Sequence, residues 1–356
     1  MVPPTVGGTG RSVSFPPPGR YTWPEGQDSA SGPSGEIAFP LVTTPADGPP
    51  PSPEWAPERE VTAATAAALI ADRFPGLRGA AVERLATGWD NTVFRVGGEW
   101  AFRFPRRRIA VPGVEREIAA LPVLAPRLPL PVPVPRYAAG PSAGFPWPFW
   151  GGRLIEGREF ADVRPPDAER GALAAGIGGF LRALHDPALV REAGEGLPLD
   201  PMRRADPALR AERTLPRLDA LAALGAWDRD PAVEAFLAAA RDRRPPDGEP
   251  VIVHGDLHVR HLLLGPDGRA AGIIDWGDVC LADPAVDLSL AYAGFGGDAR
   301  AAFLAAYGPV SPDQEAAART LALNLSATLA EYAASTGRDA LLAESLAGIA
   351  RAVARP

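Results

Sequence analysis

The chain has 356 residues and a formal charge of −7, from 36 basic against 43 acidic residues, and every basic residue is an arginine. With 46% hydrophobic and 22% charged residues it has the balance of a globular protein long enough for two lobes or domains; fibrous and collagen-like architectures are excluded, and the acidic excess argues against nucleic acid as a partner. Without lysine, any role usually given to an ammonium falls to a guanidinium, and with Cys280 the only cysteine an intramolecular disulfide or a cysteine-rich zinc site is impossible. No run approaches the ~18 apolar residues of a membrane helix, and Met1-Val2-Pro3-Pro4 does not open a leader pattern, so the expectation is a cytoplasmic protein with no membrane partner.

Residues 1–58 hold 14 prolines and 8 glycines, the composition of a disordered or linker-like extension; the alternative is a working start near Glu54. From Glu60 to Phe74 an alanine-rich run predicts a helix, closed by Pro75-Gly76. Ala81–Leu85, Thr92–Val96 and Trp100–Phe104 read as consecutive strands, split by Gly88 and by Gly97-Gly98. Val114–Leu124 has helical spacing up to Pro126, and Pro129–Pro135 is an extended connector to a strand pair around Arg136–Ala138 and Phe149–Ile155. Beyond Pro165 the pattern turns helical: Asp167–His185, Pro201–Leu215, Pro231–Arg241, Ala299–Tyr307 and two long helices from Pro312 onward. Three short apolar strands, Val251–Val253, His261–Leu264 and Ala271–Ile274, interrupt this run.

The polar chemistry lies at the ends of those three strands. The segments are His254-Gly255-Asp256-Leu257-His258-Val259-Arg260-His261, Ile273-Ile274-Asp275-Trp276-Gly277-Asp278 and Asp283-Pro284-Ala285-Val286-Asp287. An acid on a tight loop after a buried strand can accept a proton from a hydroxyl, and a second acid after the next hairpin can hold a divalent metal that carries phosphate. Asp256 and Asp275 are 19 positions apart, with the turn Gly265-Pro266-Asp267-Gly268 between them, so both carboxylates can sit at one end of neighbouring strands.

These motifs resemble those of the aminoglycoside and macrolide phosphotransferase family, small-molecule kinases. The resemblance implies an α+β, two-lobed protein-kinase-like fold: a nucleotide-binding N-lobe over 59–150, an antiparallel sheet with a helix, and a mostly helical C-lobe over 151–356 with the catalytic loop and acceptor-binding helices. It makes Asp256 the catalytic base and His261 and Asp275 the metal ligands, with His254 supporting the loop and Asp283 and Asp287 anchoring the next helix. Thr87-Gly88-Trp89-Asp90-Asn91-Thr92-Val93-Phe94-Arg95 is similar to the family's nucleotide-positioning loop, which places Gly88 and Asn91 at the nucleotide. Trp100-Ala101-Phe102-Arg103-Phe104-Pro105 resembles the strand that normally carries a phosphate-binding lysine, here Arg103, and Glu117 resembles the helix acid that orients that cation, with Glu115 as the rival. Pro148–Gly157 looks like the hinge between the lobes.

The activity implied is O-phosphoryl transfer from ATP or GTP, with Mg²⁺ or Mn²⁺, to a small hydroxylated molecule, an aminoglycoside or macrolide antibiotic; His261 in place of the commoner Asn mildly favours the macrolide side and Mn²⁺. A metabolite kinase for homoserine, choline or a sugar, or an inactive nucleotide-binding module, stays open. Other polar residues have mainly structural readings: His258 as structural or lining, Asp278 as a turn cap or a supporting acid, His185 as a helix cap, and Arg106-Arg107-Arg108 as a solvated turn, with an aid to phosphate as the alternative.

Overall fold

A computed structural model of the chain describes residues 57–354, so the extension expected over 1–58 lies outside the described residues except for its last two positions. Helix α1, Ala63–Arg73, begins at Thr62, whose hydroxyl accepts from the Thr65 amide at 3.1 Å, and it buries Ala66 and Ile70. Strands β1 (Val82–Thr87), β2 (Asn91–Val96) and β3 (Trp100–Pro105) follow, then helix α2 (Val111–Leu124) and strands β4 (Pro135–Ala139) and β5 (Phe149–Arg153). They form one antiparallel sheet in the order β1-β2-β3-β5-β4. Strand β5 runs across the 150–151 division expected between the lobes.

Register divides the sheet's side chains between two faces. Arg103 lies opposite Val93 on one side and Trp150 on the other, so these three share a face, together with Asn91, two residues before Val93. The alternate residues Phe94, Phe102, Phe104 and Phe149 point the other way and build an aromatic core under α1, with Phe104 stacked on Phe149 at 4.5 Å between ring centroids.

The second lobe begins with β6 (Arg158–Glu159), α3 (Phe160–Val163), α4 (Gly171–Leu184), α5 (Pro187–Ala193), α6 (Pro207–Ala223) and α7 (Pro231–Arg241). Strands β7 (Val251–Val253), β8 (Leu262–Leu264), β9 (Ala270–Ile273) and β10 (Cys280–Ala282) come next, and helices α8 (Ala285–Gly294), α9 (Gly297–Tyr307), α10 (Pro312–Thr336) and α11 (Asp339–Val353) complete it. Strand β8 pairs with β6 and β9, and β10 pairs with β7, all antiparallel. One large apolar core joins these helices, and Val114, Leu121 and Leu124 of α2 reach into it, so α2 ties the sheet lobe to the helical lobe. The architecture is the α+β, two-lobed kinase-like fold expected. No helix among the described residues is long and apolar enough to cross a membrane.

The expected helix over Pro201–Leu215 starts instead at Pro207 and runs to Ala223. Asp206 caps it, accepting from the Leu209 amide at 3.2 Å, with Pro207 in the first turn. Pro216 stays inside the helix because burial of Ala211, Leu218 and Leu221 outweighs its lost hydrogen bond. Strands β6 and β10 and helix α5 were not predicted. The strands have two and three residues and exist only through pairing with β8 and β7, whereas α5 carried a readable signal in its Asp186-Pro187 start.

Candidate active site

The first loop of the site leaves β7 at His254 and turns at Gly255, whose φ of +89° is in the left-handed region. A Cβ at Gly255 would also collide with the Asp278 carbonyl oxygen, so only glycine lets the chain turn here and deliver Asp256. The buried Asp287 carboxylate anchors the turn from below: it accepts from the His254 amide at 2.7 Å, the Gly255 amide at 3.1 Å and His185 Nε2 at 3.2 Å. Burial alone would raise this acid's pKa, but these donors hold it below the usual carboxylate value.

His254 sets the two loops relative to one another. Its Nδ1 accepts from the Asp256 amide at 3.2 Å, which leaves the proton on Nε2 to be donated to the Ile274 carbonyl at 3.0 Å. Ile274 precedes Asp275, so one buried ring spans the approaches to both acids. Asp275 itself sits at φ +67°, a left-handed conformation that a non-glycine residue adopts at a cost of order 1–3 kcal/mol and that the surroundings must enforce.

His261 closes the triangle. Its Nδ1 lies 2.8 Å from the Asp256 carbonyl oxygen, which can only accept, so Nδ1 carries the proton and Nε2 keeps a bare lone pair. That lone pair faces Asp275 Oδ2 at 3.4 Å. Burial, reinforced by His258, pushes the His261 pKa down to about 4, so the ring is neutral at pH 7. Asp275 resists the penalty of burial through Arg103 and stays below the usual carboxylate range. Two lone-pair atoms therefore face each other with no proton between them, a donor set that fits a divalent cation. Asp256 Oδ2 lies 3.8 Å from His261 Nδ1 and 3.7 Å from His258 Nε2, and the His258 and His261 ring centroids are 3.9 Å apart with the rings tilted by 31°.

From the sheet lobe, Arg103 reaches the same place. Its Nη1 donates to Glu117 Oε1 at 2.8 Å and its Nη2 pairs with Asp275 Oδ1. With its amide oxygen toward the guanidinium, Asn91 accepts from Arg103 Nε and Nη2, both at 3.0 Å. Glu117, fully buried on α2, also accepts from Trp150 Nε1 at 3.1 Å and the Trp276 amide at 3.0 Å. The guanidinium serves its two acids unequally: burial lifts Glu117 to about 7 despite Arg103, while Asp275 is held low. Burial disfavours the charge on Arg103, but Asp275 and Glu117 together outweigh it and raise its pKa further. Close backbone contact makes this bridge possible, for a Cβ on Gly113 would come within 3.0 Å of the Gly277 carbonyl oxygen, to which Arg116 also donates.

Six of the residues singled out from the sequence thus form one network: Asp256, His261, Asp275, Arg103, Glu117 and Asn91. Gly88 stands at its margin, forming the β1–β2 turn with its amide donating to the Asn91 carbonyl at 2.9 Å. Glu115 is exposed, which decides between the two helix acids. Arg106 and Arg107 are not merely solvated: Arg106 donates to the Gly88 carbonyl at 2.6 Å and Arg107 pairs with Asp90, bracing that turn. His185 is more than a cap, its ring lying between Asp287 and the Tyr307 hydroxyl. Sequence reading passed over Arg204, a buried guanidinium paired with Asp200 and Asp278; the only signal was an arginine in a loop rich in acids.

Burial pushes the Asp256 carboxyl up to about 6, with Asp278 reinforcing the shift and the Arg204 guanidinium opposing it. The side chain still presents 32% of its surface, so solvent or an acceptor reaches it.

Comparison with known proteins bears on the fold and the family. The GDP complex of wild-type aminoglycoside 2'-phosphotransferase-IIIa is similar over 82% of this chain and 99% of its own, at 21% identity and a TM-score of 0.59, a likeness of fold. Macrolide 2'-phosphotransferase MphH from Brachybacterium faecium, as apoenzyme, is 26% identical over 80% of this chain and 97% of its own, with a TM-score of 0.52. Among curated proteins, the uncharacterized protein YcbJ of Bacillus subtilis (strain 168) is 44% identical over 45 residues, 13% of this chain and 15% of its own length. Residues 81–321, about two thirds of the chain, match the phosphotransferase enzyme family, and that span contains the seven candidate residues Gly88, Asn91, Arg103, Glu117, Asp256, His261 and Asp275; this chain belongs to the phosphotransferase enzyme family.

Proposed function

We propose that the protein transfers the γ-phosphoryl group of ATP or GTP to a hydroxyl of a small molecule, an aminoglycoside or macrolide antibiotic. The observation that carries this reading is the meeting of Asp256 with the His261–Asp275 pair, 3.4 Å between Nε2 and Oδ2, under the Arg103–Glu117 bridge. Asp256 accepts the proton of the acceptor hydroxyl as its oxygen bonds to phosphorus and the bond from phosphorus to the diphosphate oxygen breaks, releasing the nucleoside diphosphate. Arg103, fixed in direction by Glu117, Asn91 and Asp275, offers positive charge to the nucleotide phosphates, and the β1–β2 turn at Gly88 offers backbone donors. His261 Nε2 and Asp275 Oδ2 would hold a divalent ion, Mg²⁺ or Mn²⁺, which when bound neutralises charge on the phosphates. Neighbours of the same fold were determined as a GDP complex and as a GDP and kanamycin complex, which supports nucleotide use and a small acceptor here.

The test incubates purified protein with ATP or GTP, Mg²⁺ or Mn²⁺, and a panel of aminoglycosides, macrolides, homoserine, choline and sugars, and reads the gain of one phosphoryl group by mass. An aminoglycoside or macrolide product that Asp256→Asn abolishes is the expected result. Product only from a metabolite would move the substrate class. No product from any acceptor, with thermal stabilisation by nucleotide retained, would replace the enzyme with a binding module.

A further inference from the structure

Arg204 lies in the loop between α5 and α6 and is 6% exposed. Its Nη1 donates to Asp200 Oδ1 at 2.6 Å, its amide to Asp200 Oδ2 at 2.5 Å and its Nη2 to Asp278 Oδ1 at 2.5 Å. The loop is itself fastened to β10, with the Asp200 amide donating to the Leu281 carbonyl at 2.9 Å and the Leu281 amide to the Pro198 carbonyl at 2.8 Å. The guanidinium is therefore a fixed post, and Asp278 is what it holds. Asp278 has a second contact: its carbonyl oxygen occupies the space beside Gly255 where any side chain would collide, so the position of residue 278 decides how the chain turns into Asp256. The Asp278 carboxylate is 45% exposed, and both Asp278 and Arg204 act electrostatically on Asp256, so the pair borders the site and is open to solvent at Asp278 rather than closing a core. For stability alone, an ion pair on a buried guanidinium has little advantage over an apolar replacement, whereas a guanidinium with its two Nη atoms held by two different acids is fixed in direction.

We propose that Arg204 is a positioning residue for phosphoryl transfer: through Asp278 it sets the Gly255 turn and so aligns the Asp256 carboxylate with the His261–Asp275 pair. The inference rests on the reading of Asp256 as the base. A carboxylate displaced by about 1 Å loses on the order of 10²-fold in turnover, so the effect belongs in kcat rather than in nucleotide binding.

The test measures kcat and nucleotide KM on the acceptor identified by the panel, with melting temperature, for Arg204→Met, Arg204→Lys, Asp278→Asn and the double variant Arg204→Met/Asp278→Asn. Arg204→Met and Asp278→Asn should each lower kcat by about 10–100-fold with KM changed less than about twofold, Arg204→Lys should recover part of the loss, and the double variant should be no worse than either single one. Unchanged kcat in a folded Arg204→Met protein, or losses that multiply in the double variant, would overturn the proposal. If Arg204→Met does not fold, Asp278→Asn decides alone: its exposed carboxylate is not needed for the core, and full turnover in that variant counts against the role. Asp256→Asn, measured beside them, separates the two claims. An active Asp256→Asn removes the base itself, whereas an inactive one beside an unimpaired Arg204→Met removes only the positioning role.

Discussion

A carboxyl with a pKa near 6 acts as a base only once it has lost its proton, so kcat/KM should fall tenfold per pH unit below about pH 6 and level off above it. A profile flat down to pH 4.5 would contradict Asp256 as the base. The same shift has the opposite sign for stability. Folded Asp256 keeps its proton to a higher pH than the unfolded chain, whose carboxyl titrates near 4; stability therefore declines as pH rises from about 4 to about 6, and the ionised form carries a penalty above that window. Asp256→Asn should lower kcat by about 10³-fold yet gain on the order of 1 kcal/mol at pH 7, discounted for the solvent-exposed third of the side chain. Turnover and a melting curve in one buffer check both, and a fall in melting temperature would show that the carboxylate is not a net cost to the fold.

Among the elements, α11 is held to the start of α4 and the end of α8 by one buried acid. Glu344, 1% exposed, accepts from Arg170 at 2.8 and 3.1 Å and from Arg351 at 2.8 Å, and Arg170 also donates to the Gly294 carbonyl at 2.7 Å. Glu344→Ala would leave Arg170 charged, buried and short of a partner, a loss of about 3–5 kcal/mol in urea unfolding. A loss below about 1 kcal/mol would mean that water or Asp167 compensates. In the Gly255 turn the penalty is backbone: Gly255→Ala meets both a φ of +89° and the Asp278 carbonyl, so it should cost at least ~1 kcal/mol and remove most turnover even where the protein folds. Wild-type turnover in Gly255→Ala would show that the turn can move without displacing Asp256.

Across the whole molecule, the lobes meet at the β1–β2 turn as well as along α2. Trp89, at the β1–β2 turn, packs edge-on against Tyr332 of α10 with ring centroids 6.0 Å apart, and Arg260, one residue before His261, lies 5.5 Å over the same Tyr332 ring. An aromatic pair of this kind contributes about 0.5–1.5 kcal/mol, so Tyr332→Ala should speed amide exchange over residues 88–91 by roughly two- to twelvefold. Unchanged exchange there would mean that the turn is held without Tyr332.

How much was legible in the sequence follows from the range of the interactions. Asp256 and Asp275 stand in two short segments joined by a hairpin, so strand period and turn chemistry suffice to bring both to one end of the strands, whereas His261 was legible as a ligand only through the family resemblance. Arg103 and Glu117 were legible only through the resemblance of their strand and helix to the family's pattern; what separates Glu117 from Glu115 is burial, a property of α2's seat against the second lobe. The two- and three-residue strands β6 and β10 carry no periodicity of their own and exist only as pairing partners. Arg204 reaches Asp278 across 74 positions, and Trp89 meets Tyr332 from the other lobe. By itself the sequence determined the kinds of groups available, their local order and the family; the packing of α2 and of the loop before α6 decided which charges meet, because contacts between distant segments depend on how whole elements pack and leave no local pattern to read.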